Sequence, residues 1–266
     1  MFNWMLILIL VAVSVPGILV AAPGLIESQM KTMLAKLPAD KELPSKATLT
    51  MLTVVQSLVI VTVLAAVGSV LAPRVGLAAP FFEGLVSGQG AVDALMAQLG
   101  PALIVGVGGA LLFIAAYYLF FRPRLDEQTV QAMEGVRMQL GPWSRVLYGG
   151  IVEEVISRWG VMTLFVWLGS LLVGEAPDMV VWSAIVLSGV LFGLGHLPAY
   201  LGAGCRKTPL FLAATIKLNL WASLIFGWLF WQVGLLAAML AHMLFHLLWL
   251  PFDLRFARHP EPLPAS

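Results

Sequence analysis

The chain has 266 residues, of which 60% are hydrophobic and only 11% charged, with a mean hydropathy of +0.95 and a net charge of +1. Values of that kind lie outside the range of soluble domains and define a polytopic membrane protein in contact with the lipid bilayer. Nucleic acid is excluded as a partner by the absence of a basic patch with interleaved aromatics. A single cysteine, Cys205, rules out an internal disulfide framework and any CxxC metal pattern.

Seven apolar runs reach the length of roughly 17–25 residues needed to cross a bilayer. In chain order they cover 2–22, 48–72, 99–121, 145–173, 179–200, 209–231 and 233–252. The first ends in Ala21-Ala22 but lacks a positively charged n-region, so it reads as an uncleaved span and not as a signal peptide. Residues 75–98 are Gly-rich around Pro80-Phe81-Phe82 and read as a re-entrant or interfacial segment, with an eighth span as the alternative. Residues 125–140 predict a weak amphipathic helix on the membrane surface, or a solvated connector. The Pro-rich end, 256–266, reads as a disordered tail. The expected fold is an all-α transmembrane helix bundle, divided into N-terminal helices (1–124) and a core (125–255) that carries the chemistry.

Loop charges orient the bundle. Lys31, Lys36, Lys41 and Lys46 fill the first loop, Arg122, Arg124, Arg137 and Arg145 the third, and Arg206 and Lys207 the fifth, while Arg255 and Arg258 follow the last span. Arg74 is the one positive charge of the even-numbered loops, and the fourth carries Glu175 and Asp178. The alternation predicts an N-terminus outside and a C-terminus in the cytoplasm, in an integral multi-pass protein of a bacterial inner (plasma) membrane.

With that orientation the polar residues can be compared by depth. Glu153 and Glu154 lie about two turns into the fourth span, roughly 12 Å at 1.5 Å per residue. The remaining acidic residues read as belonging to loops, segment ends or the tail. His196 falls near the cytoplasmic end of the fifth span, His242 and His246 near that of the seventh, and Lys217 about two turns inside the sixth. A carboxylate in hydrocarbon costs several kcal/mol unless paired, which makes an intramembrane glutamate a functional candidate by default. Lys217 reads either as snorkelling to the surface or as a partner of an acidic site residue.

Helical phase divides the two glutamates. Glu154 and Arg158, at i and i+4, face each other and predict a buried structural ion pair. Glu153 points about 100° away and is free for other work. His242 and His246 are likewise at i and i+4 and share a face. A carboxylate beside an imidazole can hold and deprotonate water, and a further imidazole can donate to a developing oxyanion.

These residues also form motifs. Glu153-Glu154-Val155-Ile156-Ser157-Arg158 matches EExxxR, Phe192-Gly193-Leu194-Gly195-His196 matches FxxxH, and His242 opens an HxxxN-like motif. Over roughly 125–255 the sequence resembles the CPBP (ABI) family, which holds CAAX prenyl proteases and bacteriocin-processing or immunity proteins. The resemblance implies a glutamic-type intramembrane endopeptidase acting near the cytoplasmic face on a peptide or membrane-protein substrate, with or without a lipid. It implies Glu153 as general base, His196 sharing its water, and His242 with His246 as the oxyanion hole. Glu154–Arg158 would be structural, Phe192 a packing residue, and no cofactor is required. His246 departs from the Asn that the family usually has there; neutral imidazole still offers one N–H donor.

Two other readings use the same residues. Glu153, His196, His242 and His246 are plausible Zn ligands, although the HExxH motif of zinc proteases is missing. A non-catalytic protein, either a transporter using the cluster as a proton relay or a scaffold or immunity protein, is the third.

Overall fold

The structure is a computed structural model that describes residues 3–37 and 42–256. Among the described residues it is helical throughout, with seven helices long and apolar enough to cross a membrane. The long helices are α1 (Trp4–Lys36), α2 (Lys46–Leu71), α4 (Ala91–Ala115), α7 (Asp178–Gly202), α8 (Pro209–Gln232) and α9 (Leu235–Phe256), with a composite fourth span built from α5 and α6. Hydrocarbon offers no partner for backbone polar groups, so helices that satisfy their own N–H and C=O groups are the expected solution. Side chains of Asn3, Ser45, Asp126 and Thr208 cap α1, α2, α5 and α8 by accepting from the first-turn N–H groups.

Residues 75–98 do not make an eighth span. They hold a short helix, α3 (Pro80–Ser87), and the first two turns of α4, which begins at Ala91 and not at 99. Pro80 at the start of α3 supplies a preset φ, and Gly88 and Gly90, at φ of 72° and 73°, turn the chain into α4. The segment read as a weak amphipathic helix or a solvated connector is a helix that packs against the bundle. Helix α5 (Glu127–Ser144) buries Thr129, Val130, Met133, Glu134, Val136 and Arg137 against its neighbours. At Gly141 (φ 71°, ψ 166°), followed by Pro142, the chain bends sharply and enters the bundle interior. The expected disordered tail lies outside the described residues but for Phe256, which ends α9.

Beyond that bend the fourth span is wide. Arg145–Glu153 and Val155–Met162 form two π-helical segments before α6 (Thr163–Val173) resumes ordinary geometry. Such i→i+5 turns are rare and tend to mark functional sites. The wide segment sits at the centre, packed by α1, α2, α7, α8 and α9. Trp159, fully buried, donates from Nε1 to the Ala65 carbonyl at 3.1 Å, and the bare Cα of Gly68 leaves room for its indole. Small residues at such crossings are how membrane helices approach closely.

The end of the bundle that holds the α5 bend contains a polar network that the sequence did not reveal. Asp253 of α9, expected to be an ordinary helix-end acid, is fully buried and accepts from Arg137 (Nη2, 3.0 Å), Arg145 (Nη1, 2.8 Å) and Tyr118 (3.0 Å). Glu134, also buried, accepts from Arg122 Nε at 2.7 Å. Both acids, which the sequence reading left in a loop and at a helix end, are buried among the helices. Arg137 and Arg145 are correspondingly not loop charges.

Candidate active site

A cavity of about 530 Å³ opens inside the bundle, walled by α1, α5, the π-helical segments, α7, α8 and α9. Glu153, His196, His242 and His246 all border it. They come from three different helical elements, so their convergence is a property of the fold.

The best-ordered part is a chain of contacts behind the cavity wall. Glu154, fully buried, accepts a hydrogen bond from His242 Nδ1 at 2.7 Å. Its other oxygen faces Arg158 Nε at 3.3 Å, an ion pair whose angle is not that of a directed hydrogen bond. Arg158 is 1% exposed, donates from Nη2 to Ser223 Oγ at 2.9 Å, and lies between the rings of Phe192 and Phe226 at 5.2 and 5.4 Å. Cation–π attraction and the ion pair together compensate a guanidinium that could not otherwise be buried. Phe192, expected only to pack, therefore faces a charge on one side and the His196 ring, 4.6 Å away, on the other.

This chain sets the state of His242. A carboxylate can only accept, so Nδ1 carries the proton and Nε2 presents its lone pair. Nε2 lies 3.9 Å from Glu153 Oε2. The ring is held flat by Phe226 at 4.5 Å (19° between planes) and by His246 at 5.0 Å (26°). His196 is fixed similarly: its Nδ1 pairs with the Phe192 carbonyl at 2.8 Å, which makes Nε2 the free ring atom. Glu153 thus stands within 4 Å of a ring nitrogen of His242 and shares the cavity with His196.

His246 stacks on His242 and points its Nε2 at Gly149, where an added Cβ would stand only 2.5 Å away. Its Nδ1 is buried without a hydrogen-bond partner among the described residues. Lys217 does not join the cluster: it is exposed on the outside of α8 and borders no part of the cavity. Asn219, one of the cavity residues, donates to the Thr215 carbonyl at 2.8 Å. Sequence reasoning missed Ser223 and Phe226, which sit in an uninterrupted apolar run and carry no local signal.

Among the described residues, no three His, Cys, Asp or Glu side chains converge as ligands for a metal ion. Glu153, His196, His242 and His246 border one cavity, but no three of them come together as ligands, and His246 turns its Nε2 to Gly149. As arranged, the four do not fit the zinc site that the sequence left open.

The class defined by fold and site is a multi-pass membrane bundle with a Glu/His cluster facing an internal cavity. Residues 140–248 match the family model of the type II CAAX prenyl endopeptidase Rce1-like proteins. The match spans all three motifs, from Glu153 to His246, and makes this part of the chain similar to a family of membrane endopeptidases, in agreement with the resemblance read from the motifs. Neither the curated proteins nor the solved structures gave a significant match.

Proposed function

We propose that the protein is an intramembrane endopeptidase that hydrolyses a peptide bond with a water activated by Glu153. The observation that carries this reading is the approach of Glu153 Oε2 to His242 Nε2 at 3.9 Å on the wall of the cavity. A water at about 2.8 Å from each atom bridges that gap and is held by two acceptors. Glu153 then takes its proton as the oxygen attacks the scissile carbonyl. His196, with Nε2 free on the same cavity, is the second group able to hold the water or pass the proton to the leaving amine. His242, oriented by its Nδ1 bond to Glu154, lines the oxyanion site together with His246, which is stacked on it. Glu154 and Arg158 act by positioning: they fix the tautomer and plane of His242. The charge pattern of the loops supports cleavage near the cytoplasmic face.

The test is cleavage of a quenched peptide by protein in proteoliposomes. Glu153→Ala and His196→Ala each remove cleavage while thermal unfolding stays cooperative. Cleavage surviving in both variants refutes the mechanism.

A further inference from the structure

The polar atoms around the attacking water are acceptors. Glu153 is a carboxylate, and His242 presents the Nε2 lone pair because its Nδ1–H is given to Glu154. His196, with its Nδ1–H given to the Phe192 carbonyl, likewise presents a lone pair at Nε2. His246 brings no N–H to the cavity: Nε2 is turned to Gly149, and Nδ1 is buried without a hydrogen-bond partner among the described residues. A set of acceptors suits a water molecule, which has protons to give. It does not suit the tetrahedral intermediate, whose oxyanion needs a donor.

Donors elsewhere on the cavity wall are spent or distant. Ser144 and Ser188 donate to the carbonyls of Val20 and Ile185. Arg137 and Arg145 are drawn to Asp253, about two turns beyond His246 on α9, roughly 10 Å. Asn219 donates to the Thr215 carbonyl and stands about two turns of α8 before Phe226, the ring stacked on His242. Tyr148 is different. Its side chain borders the cavity, interacts electrostatically with Glu153 and has Ser57 of α2 within hydrogen-bonding reach.

The backbone explains how the phenol comes to be there. In an α-helix, at about 100° per residue, side chains five positions apart point roughly 140° away from each other. Arg145–Glu153 is π-helical, with i→i+5 bonds, so a turn takes more residues and positions five apart come back toward one face. Tyr148 and Glu153 have that spacing. The widened turn presents a hydroxyl and the base to one cavity.

We propose that Tyr148 is the hydrogen-bond donor to the oxyanion. The proposal rests on the peptidase reading and adds a catalytic residue to it. As the water oxygen bonds to the scissile carbonyl carbon, the carbonyl π pair moves onto oxygen and Glu153 holds the proton taken from the water. Tyr148 keeps its own proton and donates a hydrogen bond to that oxyanion. A phenol, with an ordinary pKa of about 10, is protonated at neutral pH and ready to donate. Collapse returns the pair to the carbonyl, the C–N bond breaks, and the amine leaves with the proton that Glu153 took up.

The experiment compares full-length wild-type protein in proteoliposomes with Tyr148→Phe, which removes one oxygen and keeps the ring. Losing one oxyanion donor lowers kcat about 10²–10³-fold and leaves KM unchanged, the pattern of an interaction made only in the transition state. Ser157→Ala, which takes a different hydroxyl from the same cavity wall, leaves kcat near wild type. A second measurement needs no change at position 148. The chain has four tyrosines, and in wild-type protein labelled with ζ-13C tyrosine a phosphinate peptide, whose tetrahedral anion stands in for the intermediate, shifts the Tyr148 resonance. Phenylalanine at each of the other three tyrosines in turn assigns it. Equal kcat in wild type and Tyr148→Phe, a loss in Ser157→Ala in its place, or a Tyr148 resonance unmoved by phosphinate overturns the proposal. Wild-type protein that cleaves no peptide overturns the peptidase reading itself, a result distinct from cleavage that survives Tyr148→Phe.

Discussion

Replacing Gly149 by alanine tests the packing of the site at its tightest point. A Cβ at this position stands 2.5 Å from His246 Nε2 and 3.3 Å from His242 Nε2. Ordinary contact lies near 3.5–4.0 Å, so the His246 ring has to move by about 1 Å. It has little room to do so. It is stacked on His242, which is itself stacked on Phe226 and tied to Glu154. Overpacking of this kind costs roughly 1–3 kcal/mol, offset by up to about 1 kcal/mol from the better helix propensity of alanine. Asparagine at position 246 ends one bond short of Nε2, and its amide, near the ring position 2.9 Å from that Cβ, has only a few tenths of an ångström to give. Gly149→Ala in a His246→Asn background is therefore neutral or slightly stabilising, and the double-mutant cycle gives a coupling of about 1–3 kcal/mol. The assay is thermal unfolding in detergent for the four proteins, where each kcal/mol moves the midpoint by roughly 2–4 °C. If Gly149→Ala costs the same in both backgrounds to within about 0.5 kcal/mol, the reasoning about His246 is wrong.

Glu154→Ala leaves Arg158 buried without its carboxylate and His242 Nδ1 without its acceptor; breaking such a pair costs about 3–5 kcal/mol, lowering the unfolding midpoint by roughly 10 °C or more. Glu154→Gln, which keeps an acceptor for Nδ1, loses less, and equal losses would contradict the bond. Lys217→Ala changes stability by no more than about 0.5 kcal/mol, because the side chain is exposed and outside the cavity. Cys205 is buried with its Sγ against the Thr129 carbonyl, and desolvation pushes the thiol from near 9 up to about 12. A raised pKa means its contribution is complete below about 9 and is lost as pH climbs toward about 12. Maleimide accordingly labels it at neutral pH only after unfolding, and rapid labelling of the folded protein would refute the burial.

Legibility of the molecule from its sequence followed the range of the interactions. Helix count came through because each span is a local apolar run, and the Glu154–Arg158 contact because i,i+4 spacing is fixed by the helix itself. Glu153 and the three histidines were found because polar atoms in hydrocarbon are conspicuous, and their shared cavity followed from comparing depths. The bond from His242 to Glu154 could not be read, since it joins residues 88 positions apart and depends on the rotation of α9. Asp253 was misplaced for a related reason: near a helix end an acid looks solvated, and its partners Arg137 and Arg145 lie 116 and 108 positions earlier. The π-helical geometry of 145–162 leaves no pattern in residue type that periodicity could reveal.

The central claim is that a glutamate, and no metal, activates the water. It is tested most directly by measuring peptide turnover with chelator-treated, element-analysed protein, wild type beside Glu153→Gln. The account predicts full turnover without bound metal and, with glutamine at position 153, a loss of about 10²-fold or more, the scale of a missing general base. Turnover that vanishes with stoichiometric zinc and returns on its addition, or that persists in Glu153→Gln, would contradict it.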